Sequence, residues 1–408
     1  MINPKEALKI VLDNALRPKA VEVRIGESLG LISAENVKSE INVPAFNNSA
    51  MDGFAVLASD LAKTPKELQV VDEVPAGKTS DKKLDYGQSI KIMTGAPIPK
   101  GANCVVPVED TSVGSGLKPS PTTITINKTY PKGANIRLAG EDISIGDAVI
   151  VQGTKISPVH IGLLASLGLA DIKIYQPPTV AILSTGSELT DLDTVSAPGQ
   201  INDSNSWTLA SLVAQLGAYP ERIGIAKDDF EETKAMIELG LKSDILITSG
   251  GVSVGEYDFV KDVLKDLGAT QLFWSVAQKP GKPLAYWMVG GKPVFGLPGN
   301  PVAVMMCFEL YVRPLILKTM GFKQLQRPLV KAKLAKDIKK KTGRYNYIRV
   351  SLKIKEGQVH AIPTGPQGSG ILSSMVADGL VVANKDVGKL PAGQTVEVML
   401  LKPWEEIC

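Results

Sequence analysis

The sequence predicts a multidomain α/β plus β protein built around a central doubly wound α/β domain. Three observations carry this reading. From Thr179 onward, short apolar runs alternate with helical stripes, the pattern of βα units on a parallel sheet. Several of those runs end in glycine-rich turns, as strands do when they re-enter as helices. On either side the texture changes to short β-like runs punctuated by Gly and Pro, first over residues 44–137 and again beyond Arg327-Pro328.

Composition narrows the function classes. With 408 residues and 44% hydrophobic content, two to four domains with real cores are expected. A net charge of +3 leaves no basic stripe for nucleic acid, and Lys339-Lys340-Lys341 reads as a solvated turn. The most apolar run, residues 301–317, is interrupted by Glu309 and Arg313, so no membrane span is expected. The start, MINPKEALK, has no apolar core of a signal peptide. Cys104, Cys307 and Cys408 match neither zinc spacing nor a disulfide framework, which points to a reducing, cytoplasmic setting. His160 and His360 are the only histidines, so Ser-His or His-metal catalysis is disfavoured. A metal here would take carboxylate oxygens, as a hard ion such as Mg2+ does.

In chain order, Asn3-Pro4-Lys5-Glu6 resembles a capping box ahead of the stripe Leu8, Val11, Leu12 and Ala15. A second short helix is expected over residues 27–34. Residues 68–71, 90–93, 104–108 and 123–126 read as strands of a small inserted β unit. Asp52 before it and Asp142 after it sit in polar turns, where an acid is ordinary. Ser157 and Pro158 open a short helix ending at Gly168. Strands at 180–183 and 222–226 end in Ser184-Thr185-Gly186-Ser187-Glu188 and in Asp228-Asp229. Between them Leu209, Leu212, Val213 and Leu216 form a helical face stopped by Gly217. Residues 230–241 are helical, 271–276 a strand, Gly290-Gly291 a hairpin turn, and a last helix runs to about Met320. The remainder reads as a small barrel or sandwich.

The chemistry concentrates in three loops. The run DILITSGGVSVGEYD (residues 244–258) breaks from a strand into Ser249-Gly250-Gly251, with Ser253 and Gly255 following and Asp258 opening a helix. Such a turn leaves N–H groups pointing outward near a positive helix end, a cradle for an anion. Gln278-Lys279-Pro280-Gly281-Lys282-Pro283 puts two cations on a proline-stiffened loop. Gly296-Leu297-Pro298-Gly299-Asn300-Pro301 places Asn300 as an N-cap and Pro301 at the first helical position. Loops leaving the carboxyl ends of parallel strands share one edge, where ligands bind. The acids Glu188, Asp228 and Asp258 fall on that edge and suit a divalent cation bridging to phosphate. Surface caps are the alternative reading of the same acids.

The segments NNSAMDGFAV, MTGAPIPKGA, GEDI, STGSEL, TSGGVSVGEYD, KPGKP, GLPGNP and GPQGSG occur in one order across almost the whole chain. That set resembles the MoeA family, the molybdopterin molybdotransferases that also include the E domain of gephyrin. The resemblance implies four domains. Residues 7–43 with 140–176 form a discontinuous N-terminal α+β domain, and 44–139 the inserted β domain. Residues 177–326 form an α/β domain of the molybdopterin-binding kind found in MogA and MoaB, with 1–6 packed on it. Residues 327–408 form a C-terminal β-barrel-like domain.

The same resemblance implies a homodimer that inserts molybdate into adenylylated molybdopterin, releasing AMP with Mg2+, in transient contact with other molybdenum-cofactor enzymes. It implies that Glu188, Asp228 and Asp258 hold the metal or orient the pterin, while Pro298 and Pro301 shape its loop. Lys279, Arg349 and Ser369 would meet the oxyanion, and Asp52, Thr94 and Asp142 would come from the other arm. Two departures stand out: Ser275 occupies a position where members commonly carry a cation, and Ser187 one where they often carry an acid or Asn. Two rival classes share parts of the architecture, a non-catalytic gephyrin-like scaffold and a MogA-like molybdopterin adenylyltransferase. The retained acids argue against the first. The β insert and the C-terminal β domain argue against the second.

Overall fold

The structure, a computed structural model, describes residues 1–113, 122–195, 197–251, 259–367 and 375–407. It divides into two compact units. One comprises residues 1–34, 153–158 and 171–408; the other comprises 35–152 and 159–170.

In the larger unit a six-stranded sheet runs in the order Tyr219–Ala226, Thr179–Thr185, Ile245–Ser249, Lys292–Leu297, Ala285–Val289, Thr270–Trp274. The first four strands are parallel, and the last two join antiparallel. Alternate side chains of Thr179–Thr185 serve two cores. Val180 and Ile182 pack with Leu209 and Val213 on one face; Ala181 and Leu183 pack with Ile237, Val260 and Val263 on the other. Asn3 caps the helix Pro4–Asp13 through its side-chain oxygen, and Ala7 and Val11 of that helix join the first core. The apolar run after Pro301 is a helix to Cys307, a π-helical turn over Phe308–Val312, then a helix Arg313–Thr319. Glu309 in that turn is buried and takes both Nε and Nη2 of Arg327 at 3.0 and 2.9 Å.

Beyond it, Tyr345–Lys355, Gln358–Pro363, Leu329–Leu334, Thr395–Leu400 and Gly379–Ala383 pair in that order. Gly379–Ala383 returns to Tyr345–Lys355, closing the sheet into a barrel. The two-residue strand Gln278–Lys279 adds to its edge, parallel to Tyr345–Lys355.

The smaller unit holds a mostly antiparallel six-stranded sheet over Gly53–Val56 to Thr123–Ile126, with Phe54 and Val56 on one buried face and Ala55 on the other. The strands expected there from the sequence are present. In the larger unit, the helix expected over residues 27–34 is absent. Only Ile25–Glu27 turns helically, and the backbone of Gly30, Leu31 and Ser33 pairs with Thr154 and Ile156 instead. Tertiary backbone pairing there overrides a local preference too short to nucleate a helix. Among the described residues, no helix is long and apolar enough to cross a membrane.

Candidate active site

The chain runs from Thr179–Thr185 outward to Tyr219–Ala226 and then back to Ile245–Ser249 on the opposite side. The carboxyl ends of the first and third of these strands therefore flank a topological switch point. A cavity of about 370 Å3 opens there. Its lining includes Glu188, Asp203, Asp228, Ser249, Gly250 and Pro301.

Glycine is required at the centre of this wall. Gly250 has φ +93°, and a Cβ there would lie 2.5 Å from the Thr185 carbonyl oxygen. Gly251 has φ +63° and no more room, with Thr185 Oγ1 and Val260 within 2.7 Å of a Cβ. The Gly250 N–H donates to the Leu297 carbonyl at 3.0 Å, so the strand end before Pro298 abuts this turn. Asn205 fastens the two loops: its Nδ2 donates to Ser249 Oγ and to the Gly299 carbonyl, each at 2.9 Å. Asp203 caps the helix Ser204–Gln215 through Ser206 N–H at 3.0 Å, which turns that helix's N-terminus into the cavity wall. Asn205 and Asp203 were not singled out in the sequence. The signal that could have found them is the polar run Asn202-Asp203-Ser204-Asn205 immediately before a helical stripe. Asn300 caps the next helix through Ala303 N–H, and Pro301 is its first residue, as expected.

The acids sit at the rim. Asp228 and Ser187 hold one another: Ser187 N–H donates to Asp228 Oδ2 at 3.2 Å, and Asp228 N–H to Ser187 Oγ at 3.1 Å. Glu188 is carried beside the Ser204 helix by the bridge of Leu189–Thr190 with Ile201–Asn202, and its carbonyl accepts from Ile201 N–H at 2.8 Å. Among the described residues no three Asp, Glu, His or Cys side chains are grouped closely enough to hold an ion. The donor set still fits Mg2+. That ion keeps waters and takes one or two carboxylates beside substrate phosphates, and the cavity offers exposed Glu188 and Asp228. Buried Asp203 Oδ2, Asn205 Oδ1 and Thr185 Oγ1 have no partner among the described residues, so the wall retains polar capacity for a ligand.

Lys279, Lys282, Gly281, Pro298, Asn300 and Arg349 do not line this cavity. The lysine loop stands on a buried polar cluster. Tyr311 O–H donates to Gln278 Oε1 at 2.5 Å, and Gln278 Nε2 donates to the Gly281 carbonyl at 3.2 Å with Cys307 Sγ 3.7 Å away. A Cβ at Gly281 (φ +87°) would lie 2.6 Å from that sulfur. Lys279 and Lys282 are exposed above it. Arg349, fully buried in the barrel strand, has its N–H and carbonyl bonded by the two ends of the Gln367 amide at 2.9 and 3.1 Å. Burial holds its guanidinium below the usual arginine range. Lys340 departs from the solvated turn expected of it: it is half-buried. Burial, then the charges of Lys279 and Arg349, lowers its ammonium below the ordinary lysine range.

In the smaller unit, Asp52 Oδ1 accepts from both the N–H and the hydroxyl of Thr94 at 2.7 Å each. The Thr94 side chain first, then its backbone, holds the exposed Asp52 carboxyl below the usual range. Asp142 is exposed and makes no hydrogen bond to that pair; its N–H donates to the Val43 carbonyl. Ser253, Asp258 and Ser369 lie outside the described residues.

Comparison with known proteins bears on what this arrangement serves. The MoeA N-terminal region (domain I and II) matches residues 2–168, a probable molybdopterin binding domain matches 181–318, and the MoeA C-terminal region (domain IV) matches 331–401. A molybdopterin molybdenumtransferase of Haemophilus influenzae is 38% identical over 98% of this chain and 98% of its own. One from Staphylococcus epidermidis is 35% identical over 98% of this chain and 95% of its own. The crystal structure of a molybdopterin biosynthesis MoeA protein from Pyrococcus horikoshii superposes with a TM-score of 0.86 at 32% identity, covering 99% of this chain and 100% of that one.

Proposed function

The chain belongs to the MoeA family, the molybdopterin molybdenumtransferases, and from that premise we propose that it inserts molybdate into adenylylated molybdopterin with release of AMP and a requirement for Mg2+. It is a transferase of molybdenum cofactor biosynthesis. The observation that carries the finer reading is the switch-point cavity, where a glycine turn, a helix N-terminus and two rim carboxylates meet.

Each part has a task in that reaction. With the Gly250 N–H engaged by the Leu297 carbonyl and that of Ser206 by Asp203, the Gly251 N–H and those of Ser204 and Asn205 at the helix start suit the phosphate oxygens of the pterin substrate. Asn205 fixes the spacing of the two loops that hold it. Glu188 and Asp228 would hold Mg2+, which when bound supplies positive charge against the phosphate oxygens. Ser187 keeps the Asp228 carboxylate turned toward the rim. Lys279 and Arg349 offer charge-assisted hydrogen bonds to molybdate, a tetrahedral dianion. Rate would come from positioning and from fixed charge more than from proton transfer. A homodimer in the cytoplasm belongs to the same proposal, with Asp52, Thr94 and Asp142 serving the site of a second copy.

AMP formation from adenylylated molybdopterin tests the reading. Asp228→Ala should lower turnover by about 100-fold, the scale on which a lost electrostatic contact registers. Undiminished turnover would remove Asp228 from its assigned role.

A further inference from the structure

Lys279 lies 61 residues before Lys340 and 70 before Arg349 in sequence, and the fold brings the lysine loop to the strand that carries Arg349. Lys279 is in register with Asn346 on the strand Tyr345–Lys355, and Arg349 lies three residues further along it. Asn346 Nδ2 donates to the Arg344 carbonyl at 2.9 Å and reaches the Lys341 carbonyl at 3.5 Å, which draws the lysine turn against the position facing Lys279. Lys340 N–H donates to the Gly388 carbonyl at 2.8 Å and fixes the other side of that turn. Lys340 also borders a cavity of about 360 Å3 together with Lys336, Asp337, Lys339 and Gln367; Lys279 and Arg349 do not line it, but the Gln367 amide clamps the Arg349 backbone.

We propose that Lys340 is a third cationic ligand of the oxyanion subsite, binding one oxygen of a tetrahedral dianion alongside Lys279 and Arg349. This rests on the reading of Lys279 and Arg349 given above and adds a residue to it. The charge balance supports it. Asp337, the acid nearest Lys340 in its own turn, is engaged by Lys389 at 2.7 Å. Among the described residues no carboxylate pairs with Lys279 or Lys340. Buried Arg349, half-buried Lys340 and exposed Lys279 are like charges, and a dianion relieves their repulsion. A solvated surface lysine would not show the lowered ammonium that Lys340 does.

The test is the molybdate concentration giving half-maximal AMP release, measured on the full-length protein and on Lys340→Met, Lys340→Arg, Lys339→Met and Lys279→Met. Lys340→Met should raise that concentration about tenfold, one charge-assisted hydrogen bond, with turnover at saturating molybdate kept within about twofold. Lys340→Arg should restore most of the affinity, and Lys339→Met should change it less than about twofold. A merely structural lysine would lower thermal stability or turnover without moving molybdate saturation. If Lys279→Met weakens molybdate and Lys340→Met does not, the proposal fails and the parent reading stands. If neither weakens it, or if the wild-type protein shows no molybdate-dependent AMP release, both fall.

Discussion

The two regions of the larger unit proposed to bind anions are built in opposite ways. The switch-point cavity is a backbone device: Gly250 and Gly251 are forced by positive φ and by Thr185, and the helix after Asp203 supplies a capped end. The cationic cluster is a side-chain device, assembled where a two-residue strand of the lysine loop joins the barrel edge. The first depends on a close backbone approach at one turn and tolerates little change at its centre. The second depends on long-range register and should lose function in graded steps.

The largest effect is expected at the backbone device. Gly250→Ala introduces a Cβ 2.5 Å from a carbonyl oxygen and a residue at φ +93°, a strain of about 1–3 kcal/mol before any rearrangement. AMP release should fall by about 100-fold with Tm lowered by a few degrees. An active Gly250→Ala protein would show that the turn does not need its tight approach. At the side-chain device the expected change is smaller. Gln278→Leu removes the bonds to Tyr311 and Gly281 and leaves the buried Tyr311 hydroxyl unpaired, a cost of about 1–3 kcal/mol. Molybdate half-saturation should rise about fivefold while pterin affinity stays put. A loss of pterin binding instead would merge the two regions into one.

How much of this was legible in the sequence follows the same division. The N-caps Asn3 and Asn300, Pro301 at the helix start, the glycine turn and the strand-end acids Glu188 and Asp228 were readable because each is a local signal. Asn205 stands in a polar run that marks a helix start, but its task of fastening two loops shows only in a bond reaching 94 residues on to Gly299. In the sequence Gln278 is only the edge of a lysine loop; its role appears when Tyr311 and Cys307 arrive from helical turns 33 and 29 residues on. Lys340 was read as solvated because a lysine triplet usually is, and only the packing of its turn against the barrel reverses that. The supposed helix over 27–34 failed for the same reason, tertiary pairing outweighing local pattern.

The smallest expected effect is a control in the smaller unit. Asp52 and Thr94 were each named through the resemblance, and their mutual bonds became visible only in the fold. Thr94→Val removes the hydroxyl donor, so the Asp52 carboxyl should titrate closer to the ordinary range, as read by carboxyl NMR. A depressed folded value contributes stability above the unfolded aspartate pKa, and that stability fades as pH falls through the folded value. The variant should therefore lose less in that acidic window than the wild-type protein. An Asp52 titration that does not move would assign its depression to the Thr94 backbone alone.

A crystal soaked with molybdate and adenylylated molybdopterin tests the account most directly. It should place the pterin phosphate on the Gly250–Gly251 turn with Asp228 and Glu188 beside it, and the oxyanion between Lys279 and Arg349. Density for the pterin phosphate away from the switch-point cavity, or for molybdate remote from Lys279, would contradict it.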